Sequence, residues 1–403
     1  GLRQISSDDC LVSSYPEFLG ITDVVLRNAY LWEKEIYKGG NSLQDWNAPY
    51  KAIFYANNVI KELENNDYQD QAEYKRLKGC ALFFRSYAYF DLATTFCKVY
   101  DPTTARSELG VPLRTEPEID YIQPRASIEE TYVRILEDLE TAIPLLPKAV
   151  KIDAANMPTR PAAYGFLARI RLSMGDYALA EKAADSSLKY YDLLTNFNSL
   201  NLTTISPFSY SSTESMFYAA QVNAFHQLTA TSSLVRPYTI NPELLNLYES
   251  NDLRMNVFFV RNANGTYNGK RRYTLGSFPF TGIATPEIYL IKAECMARRS
   301  LVAESMIWLD RLLSTRYRTG TYTPKSALNA EDALGKVLVE RRKELVLRGL
   351  RWYDLRRFNT EGRGITISRV LNGNTYTLPP GDPRYTFPIP LAEVNNGLTQ
   401  NQR

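Results

Sequence analysis

Apolar positions recur along this chain with the period of a helix far more often than with the period of a strand. From Asp45 to about Asn65, Trp46, Tyr50, Ile53, Asn57 and Ile60 return every three or four residues, which places them on one helix face. A longer stripe runs from about Gln71 to Tyr100, carries Leu77, Ala81, Phe84, Tyr87, Ala88 and Leu92, and stops near Asp101-Pro102. The two stripes predict a helical hairpin over about 45–100. Ser127 followed three residues later by Glu130 is a capping box, and it starts a further helix that Pro144 and Pro147 end near Leu146.

The clearest unit spans Arg160 to Tyr190. Tyr164, Leu167, Ala168 and Leu172 line one helix, Gly175-Asp176-Tyr177 makes the turn, and Ala180, Ala183 and Ala184 line the return helix with side chains small enough for close approach. This pattern resembles a tetratricopeptide unit, and a second copy follows about 125 residues later, with Tyr289 and Ala293 in the places of Tyr164 and Ala168 and Ala303 opening the partner helix. The expected fold is therefore mostly α: tetratricopeptide-like helix pairs at about 45–100, 127–190 and 286–358 forming a right-handed superhelical scaffold within a single body, 1–403. The segment between the copies, about 193–285, is rich in Asn, Ser, Thr, Tyr and Phe. It holds strand-like runs at Ser215 to Val222 and Asn256 to Arg261 and a tight-turn dipeptide, Asn264-Gly265. It reads as inserted loops and short hairpins, the usual seat of binding on a rigid frame. A last irregular segment covers about 359–403.

Composition narrows the function. Of 403 residues, 44% are apolar, enough for a large core. Lys plus Arg is 47 against 44 for Asp plus Glu, and the longest basic block is Lys270-Arg271-Arg272, so nucleic acid is not an expected partner. The single histidine, His226, and the four cysteines, Cys10, Cys80, Cys97 and Cys295, lack metal-ligand spacing, which predicts no metal and no cofactor. His226 sits in no nucleophile-elbow motif, and there is no phosphate-binding glycine loop, so no catalytic residue is assigned. A pair of carboxylates among 44 acids leaves glycoside hydrolysis as the weaker alternative. No run approaches the roughly 20 apolar residues of a membrane helix. A start at Gly1-Leu2-Arg3 without Met reads as a mature or trimmed form, with any export signal or lipid-anchor cysteine outside it. The unusual count is 28 Tyr beside 17 Phe and 4 Trp: flat apolar rings with polar tips suit both cores and sugar faces.

Four stretches, in order, carry a family resemblance. They are Leu77-Lys78-Gly79-Cys80-Ala81-Leu82-Phe83-Phe84-Arg85 through Leu92 with Leu109-Gly110-Val111-Pro112; Ile135-Leu136-Glu137-Asp138-Leu139 leading to Pro147; Glu340-Arg341-Arg342-Lys343-Glu344-Leu345 through Arg351-Trp352-Tyr353-Asp354-Leu355-Arg356-Arg357; and Phe387-Pro388-Ile389-Pro390 with Glu393, Gln400 and Asn401. Together with Trp46, Tyr50, Ile53 and Asn57 they resemble the SusD/RagB family of outer-membrane nutrient-binding lipoproteins. The resemblance implies a non-catalytic, surface-exposed lipoprotein of the outer membrane that binds an oligosaccharide or polysaccharide and passes it to a SusC-like TonB-dependent transporter. The membrane would be touched only through the lipid anchor. The alternatives are a gating or assembly subunit of the transporter and a peptide-binding component.

The motif residues Arg85, Glu340, Arg341, Glu344, Arg351, Trp352 and Asp354 read as braces of the helix stack. On a continuous helix, Glu344 with Arg348 and Arg351 with Asp354 would form same-face ion pairs, and Leu338, Leu345 and Trp352 one buried stripe. Ligand is expected on the segments before the first helix pair and on the inserted loops. There, residue chemistry singles out Asp8, Asp9, Tyr30, Trp32 and Tyr37, then Tyr210, Phe225, Tyr267, Tyr273, Phe278 and Phe280, with Trp32 foremost because it sits among polar residues.

Overall fold

The computed structural model describes residues 1–40, 44–66, 68, 70–118, 122–150, 155–208, 212–221, 228–229, 236–274 and 276–403. Three short helices, α1 (Leu2–Ser6), α2 (Tyr15–Leu19) and α3 (Val24–Tyr30), precede the first long hairpin, α4 (Gln44–Asn65) and α5 (Gln71–Phe96). The scaffold continues as α6 (Ile128–Leu145), α7 (Arg160–Ser173) and α8 (Tyr177–Tyr190). After the inserted segment, with its short α9 (Pro242–Leu245) and α10 (Arg254–Phe258), come α11 (Thr285–Arg298), α12 (Val302–Leu313), α13 (Ala330–Glu344) and α14 (Arg351–Thr360), and a last turn of helix, α15 (Leu391–Asn395). Each long helix packs on the next along the row from α4 to α8, and α11 then packs on α8, α12 and α13, so the two tetratricopeptide-like units are neighbours in space.

Local chemistry explains the boundaries. Asp70 accepts from the backbone N–H groups of Ala72 and Glu73 to start α5, and the capping box of Ser127 and Glu130 starts α6 with both reciprocal bonds present. Ala162, Ala163 and Ala168 of α7 and Ala180 and Ala184 of α8 are fully buried, which is the close helix contact their size permits. Strands are confined to two-stranded antiparallel pairs: β1 (Cys10–Val12) with β5 (Tyr238–Ile240), β2 (Leu109–Pro112) with β3 (Arg125–Ser127), β4 (Ser215–Phe217) with β8 (Ile283–Ala284), β6 (Phe259–Arg261) with β7 (Tyr267–Gly269), and β9 (Ile367–Leu371) with β10 (Asn374–Leu378). The run expected as a strand over Asn256 to Arg261 is helical as far as Phe258 and extended only from Phe259, where β6 begins its pairing with β7. No helix among the described residues is long and apolar enough to cross a membrane.

Charged side chains form much of the interior. Arg85 of α5 holds Asp138 of α6 through two bonds of 2.7 Å and reaches Asn57 of α4 at 2.9 Å, which locks three helices together. The expected pairing within Glu340–Asp354 is different in fact. α13 ends at Glu344, the chain turns with Leu347 and Gly349 in the left-handed region (φ 59° and 69°), and α14 begins at Arg351. Glu344 and Arg348 therefore do not share a helix, and Leu338, half-buried, does not continue a stripe through Leu345 to Trp352. Glu344 instead accepts from Arg316 at 2.9 Å and Arg254 at 3.3 Å, whereas Arg348 donates to Glu287 at 3.0 Å. Arg351 reaches Asp8 with two bonds of 2.8 Å, and Asp354 sits between Arg341 and Arg357, each 2.9 Å away. Glu340 meets Arg254 at 2.6 Å.

Removing one member strands the rest, so Glu344→Ala is expected to cost roughly 3–5 kcal/mol in urea unfolding. Lys61→Ala, which breaks only the exposed pair with Glu116, should cost under about 1 kcal/mol. Equal costs would show the buried pairs to be no stronger than surface ones. Burial by itself raises the pKa of Glu294, but Arg357, the hydrogen bonds it donates, and Arg298 outweigh burial and hold the group at about 2 rather than 4.5. Its contribution is complete above the unfolded value and is lost as pH falls through about 2. The urea midpoint should thus decline from pH 4.5 downward, and less steeply in Glu294→Gln.

Candidate functional site

Where the N-terminal segment, the first helix hairpin and the inserted segment meet, they leave an open cleft of about 280 Å³. Its apolar wall is Phe84, Tyr87 and Ala88 of α5, facing Ala48 and Ala52 of α4. The rings are backed by a rigid aromatic cluster: Tyr87 lies 5.0 Å from Phe166 and 5.5 Å from Phe217, and Phe84 lies 5.9 Å from Phe217. The polar rim is made by Arg3, Gln44, Asp45, Asp91 and Gln221. Arg3 is ion-paired with Asp91 and donates to Thr94 at 2.6 Å, and the Leu2 N–H donates to Asp45 at 3.0 Å.

The far wall is held by the interior charges. Gly282 lies against β4, where a Cβ would fall 1.9 Å from the Phe217 carbonyl oxygen, so only glycine fits. The Gly282 carbonyl accepts from Arg169 at 2.7 Å and Arg348 at 3.0 Å, both also bound to Glu287, and the Tyr87 hydroxyl donates to the Thr281 carbonyl at 2.8 Å. A cleft with a preformed ring wall, a small-residue wall and a rim of donors and acceptors is suited to a polyol with apolar CH faces. A second cavity of about 260 Å³, between Lys98–Thr104 and Asn359–Thr386, lacks that character. Its Lys98 is bound to Glu108, its Asp382 to Arg384, and the Tyr385 ring packs at a tilt 5.0 Å from Trp352. Among the described residues no group of His, Cys, Asp and Glu could hold a metal ion.

Gly1, Arg3 and Gln4 and the Ala219–Gln221 segment bring to the cleft the two stretches on which ligand is expected, but its ring wall belongs to the first helix pair, and among the described residues none of those singled out lines it. Trp32 is 1% exposed: its indole N–H donates to the Ser6 carbonyl at 3.0 Å, and the Arg369 guanidinium lies 4.4 Å from its ring and 3.8 Å from that of Tyr30. Arg369 also donates to the carbonyls of Ile5 and Ser7, so these rings cover a buried cation and are unavailable to ligand. Tyr30 is buried with its hydroxyl accepting from the Val12 N–H, and Tyr37 is buried with its hydroxyl donating to the Pro388 carbonyl. Asp9 is buried against Arg342 at 3.1 Å, and burial raises its pKa; its neighbour Asp8, though burial works the other way, is lowered to about 2 by Arg351 and Arg342. Phe280 packs 4.9 Å from Tyr273, whose hydroxyl donates to Glu214, and both are core. Tyr267 is half-buried on β7 opposite Arg261, outside the cleft, and Phe278 is exposed. Tyr210, Phe225 and His226 lie outside the described residues.

Phe84 and Tyr87 were readable only as members of a core stripe. The available signal was the polar end of their face: Phe84, Ala88 and Asp91 follow at helical spacing, and an apolar stripe that closes on an acid faces water at that end.

Residues 8–172 match a family model described as starch-binding and associating with the outer membrane, and residues 248–403 match the SusD family model. SusD-like protein P38 of Formosa agariphila is 22% identical over 396 residues, spanning 82% of this chain and 74% of that protein. Among solved structures, a SusD superfamily protein of Bacteroides thetaiotaomicron superposes with a TM-score of 0.80 at 23% identity, over 100% of this chain and 94% of the other. A putative sugar binding protein of Bacteroides vulgatus gives 0.76 at 21% identity, covering 99% and 92%. A laminarin binding SusD-like protein gives 0.72 at 19%, covering 99% and 93%.

Trp32→Ala opens the core and uncovers Arg369, so it should lower stability by roughly 3–5 kcal/mol. A variant that melts like the native protein but binds glycans more weakly would return Trp32 to the ligand surface.

Proposed function

The chain belongs to the SusD/RagB family, and from that premise we propose that it captures an oligosaccharide or polysaccharide in the cleft between α4, α5 and the Ala219–Gln221 segment, without chemical conversion. The observation that carries this reading is the pairing of a fixed ring wall, Phe84 and Tyr87, with a rim of charged and amide side chains. A pyranose has the same division, with CH groups on its faces and hydroxyls at its edge. The relatives described as binding sugar and laminarin support the ligand class.

Capture also agrees with what the cleft's carboxylates do. Asp91 is committed to Arg3 and Asp45 to the Leu2 N–H, so each already fixes the cleft's own structure. In this reading the protein is held at the cell surface on the outer membrane by a lipid anchor and hands its glycan to a SusC-like transporter. Such a role favours moderate affinity, because the ligand must leave again; a shallow cleft with a ring wall and few deep polar contacts provides it.

Isothermal titration of the purified chain against laminarin, soluble starch, xyloglucan and alginate tests the proposal. At least one polysaccharide should bind, and Phe84→Ala should weaken that binding roughly 2- to 10-fold, the worth of one stacked ring, measured well below the melting temperature of the variant, which the lost contact with Phe217 lowers. Failure of all four to bind overturns the reading, and release of new reducing ends from any of them replaces it with hydrolysis.

A further inference from the structure

We propose that the exposed face of α4 extends the cleft, with Tyr55 as a second stacking platform, so that the occupant is a glycan chain longer than the cleft alone can hold. This rests on the glycan reading above and adds a direction and a length requirement to it.

Ala48, Ala52, Tyr55 and Val59 follow one another at i, i+4, i+7 and i+11 and therefore form a single face of α4. The first two line the cleft, and their small side chains put no bulk between it and the next position of that face. Tyr55 is that next position, about 10 Å along the axis from Ala48 at 1.5 Å per residue. Its ring is 57% exposed, and Val59 beyond it is 38% exposed. Large apolar side chains of a long helix normally face its partner, and on α4 that face is occupied by Trp46, Ile53, Ala56 and Leu63. Tyr55 contributes nothing to it.

The surroundings of Tyr55 favour a sugar over a protein partner. Lys51, Asn58 and Glu62, all exposed, lie within a helical turn or two of the ring, and the Lys51 ammonium sits over it, 5.8 Å from its centroid, at the end of a flexible side chain that an incoming sugar can displace. Phe54 meets Tyr55 edge-on at 5.8 Å, which limits the ring's freedom and presents a flat surface at little entropic cost. A protein interface needs a contiguous apolar patch, whereas one fixed ring set among hydrogen-bonding side chains matches one pyranose face with its equatorial hydroxyls.

The experiment is a length series. Di- to octasaccharides prepared from laminarin, starch, xylan and alginate are titrated into native protein, Tyr55→Ala, Tyr55→Phe and Phe84→Ala. In the series that binds, Phe84→Ala should weaken every length. Tyr55→Ala should leave the shortest binding oligomer unchanged and weaken the longest roughly 2- to 10-fold, so the gain in affinity with length is lost. Tyr55→Phe should retain that gain, since stacking needs the ring and not the hydroxyl. The same length dependence in Tyr55→Ala as in native protein overturns the proposal and leaves the cleft reading intact. Failure of native protein to bind any series overturns both.

Discussion

Taking a charged group out of water is tolerable only where an opposite charge or a full set of hydrogen bonds waits for it, and this protein imposes that condition on itself many times. Glu344 is the centre of one such array. It receives Arg316 from the turn after α12 and Arg254 from the inserted segment; Arg254 in turn binds Asp252 and Glu340, Lys343 binds both of these, and Arg316 binds Glu214. Against a hydrophobic core of equal volume such an array offers little net stability. What it offers is a penalty on every arrangement that separates the partners. The inserted segment supplies Glu214, Asp252 and Arg254, so it cannot lift away from α13 without leaving several charges bare.

That condition carries through to the cleft. Glu287 at the start of α11 gathers Arg169 from α7 and Arg348 from the turn before α14, and both arginines then take the Gly282 carbonyl. The Thr281–Gly282 strip becomes a fixed wall instead of a free loop. The opposite wall is a helix hairpin locked by Arg85 to Asn57 and Asp138. A binding surface composed of loop, helix and N-terminal segment is therefore as rigid as the frame, which spares the ligand the entropy of ordering it. Buried arginine serves the same end elsewhere: Arg369 is held by three backbone carbonyls and two rings, and through them it fastens the β9–β10 hairpin to the N-terminal segment that ends at Trp32.

The helices were legible because their causes are local. Periodicity, the Asp70 cap, the Ser127–Glu130 box and the alanine faces of α7 and α8 act within a few residues, and the stripes read from them coincide with the helices that formed. Family motifs were legible for a related reason, since they record the charged and aromatic side chains the fold cannot do without. The partners of those charges were not legible. Glu344 and Arg348 look like mates at helical spacing, but a left-handed Leu347 and Gly349 break the helix between them; Arg351 and Asp354 do share α14, yet Arg351 takes Asp8 while Asp354 takes Arg341 and Arg357. The partners that win are mostly distant in sequence: Arg316 and Arg254 for Glu344, Glu287 for Arg348 and Asp8 for Arg351.

The choice of ligand-facing rings was decided in the same way by tertiary structure alone. Trp32 among polar neighbours looks exposed, because sequence shows the neighbours and not Arg369, which arrives more than three hundred positions later and needs its face. Phe84 and Tyr87 look buried, because a stripe does not say where the covering element stops. The sequence by itself determined a row of paired helices, a charged brace near its end and an aromatic-rich insertion, all from interactions short enough to leave a pattern. Which rings meet water depends on how separate elements close over one another, and that is set by distances in space for which the chain carries no local record.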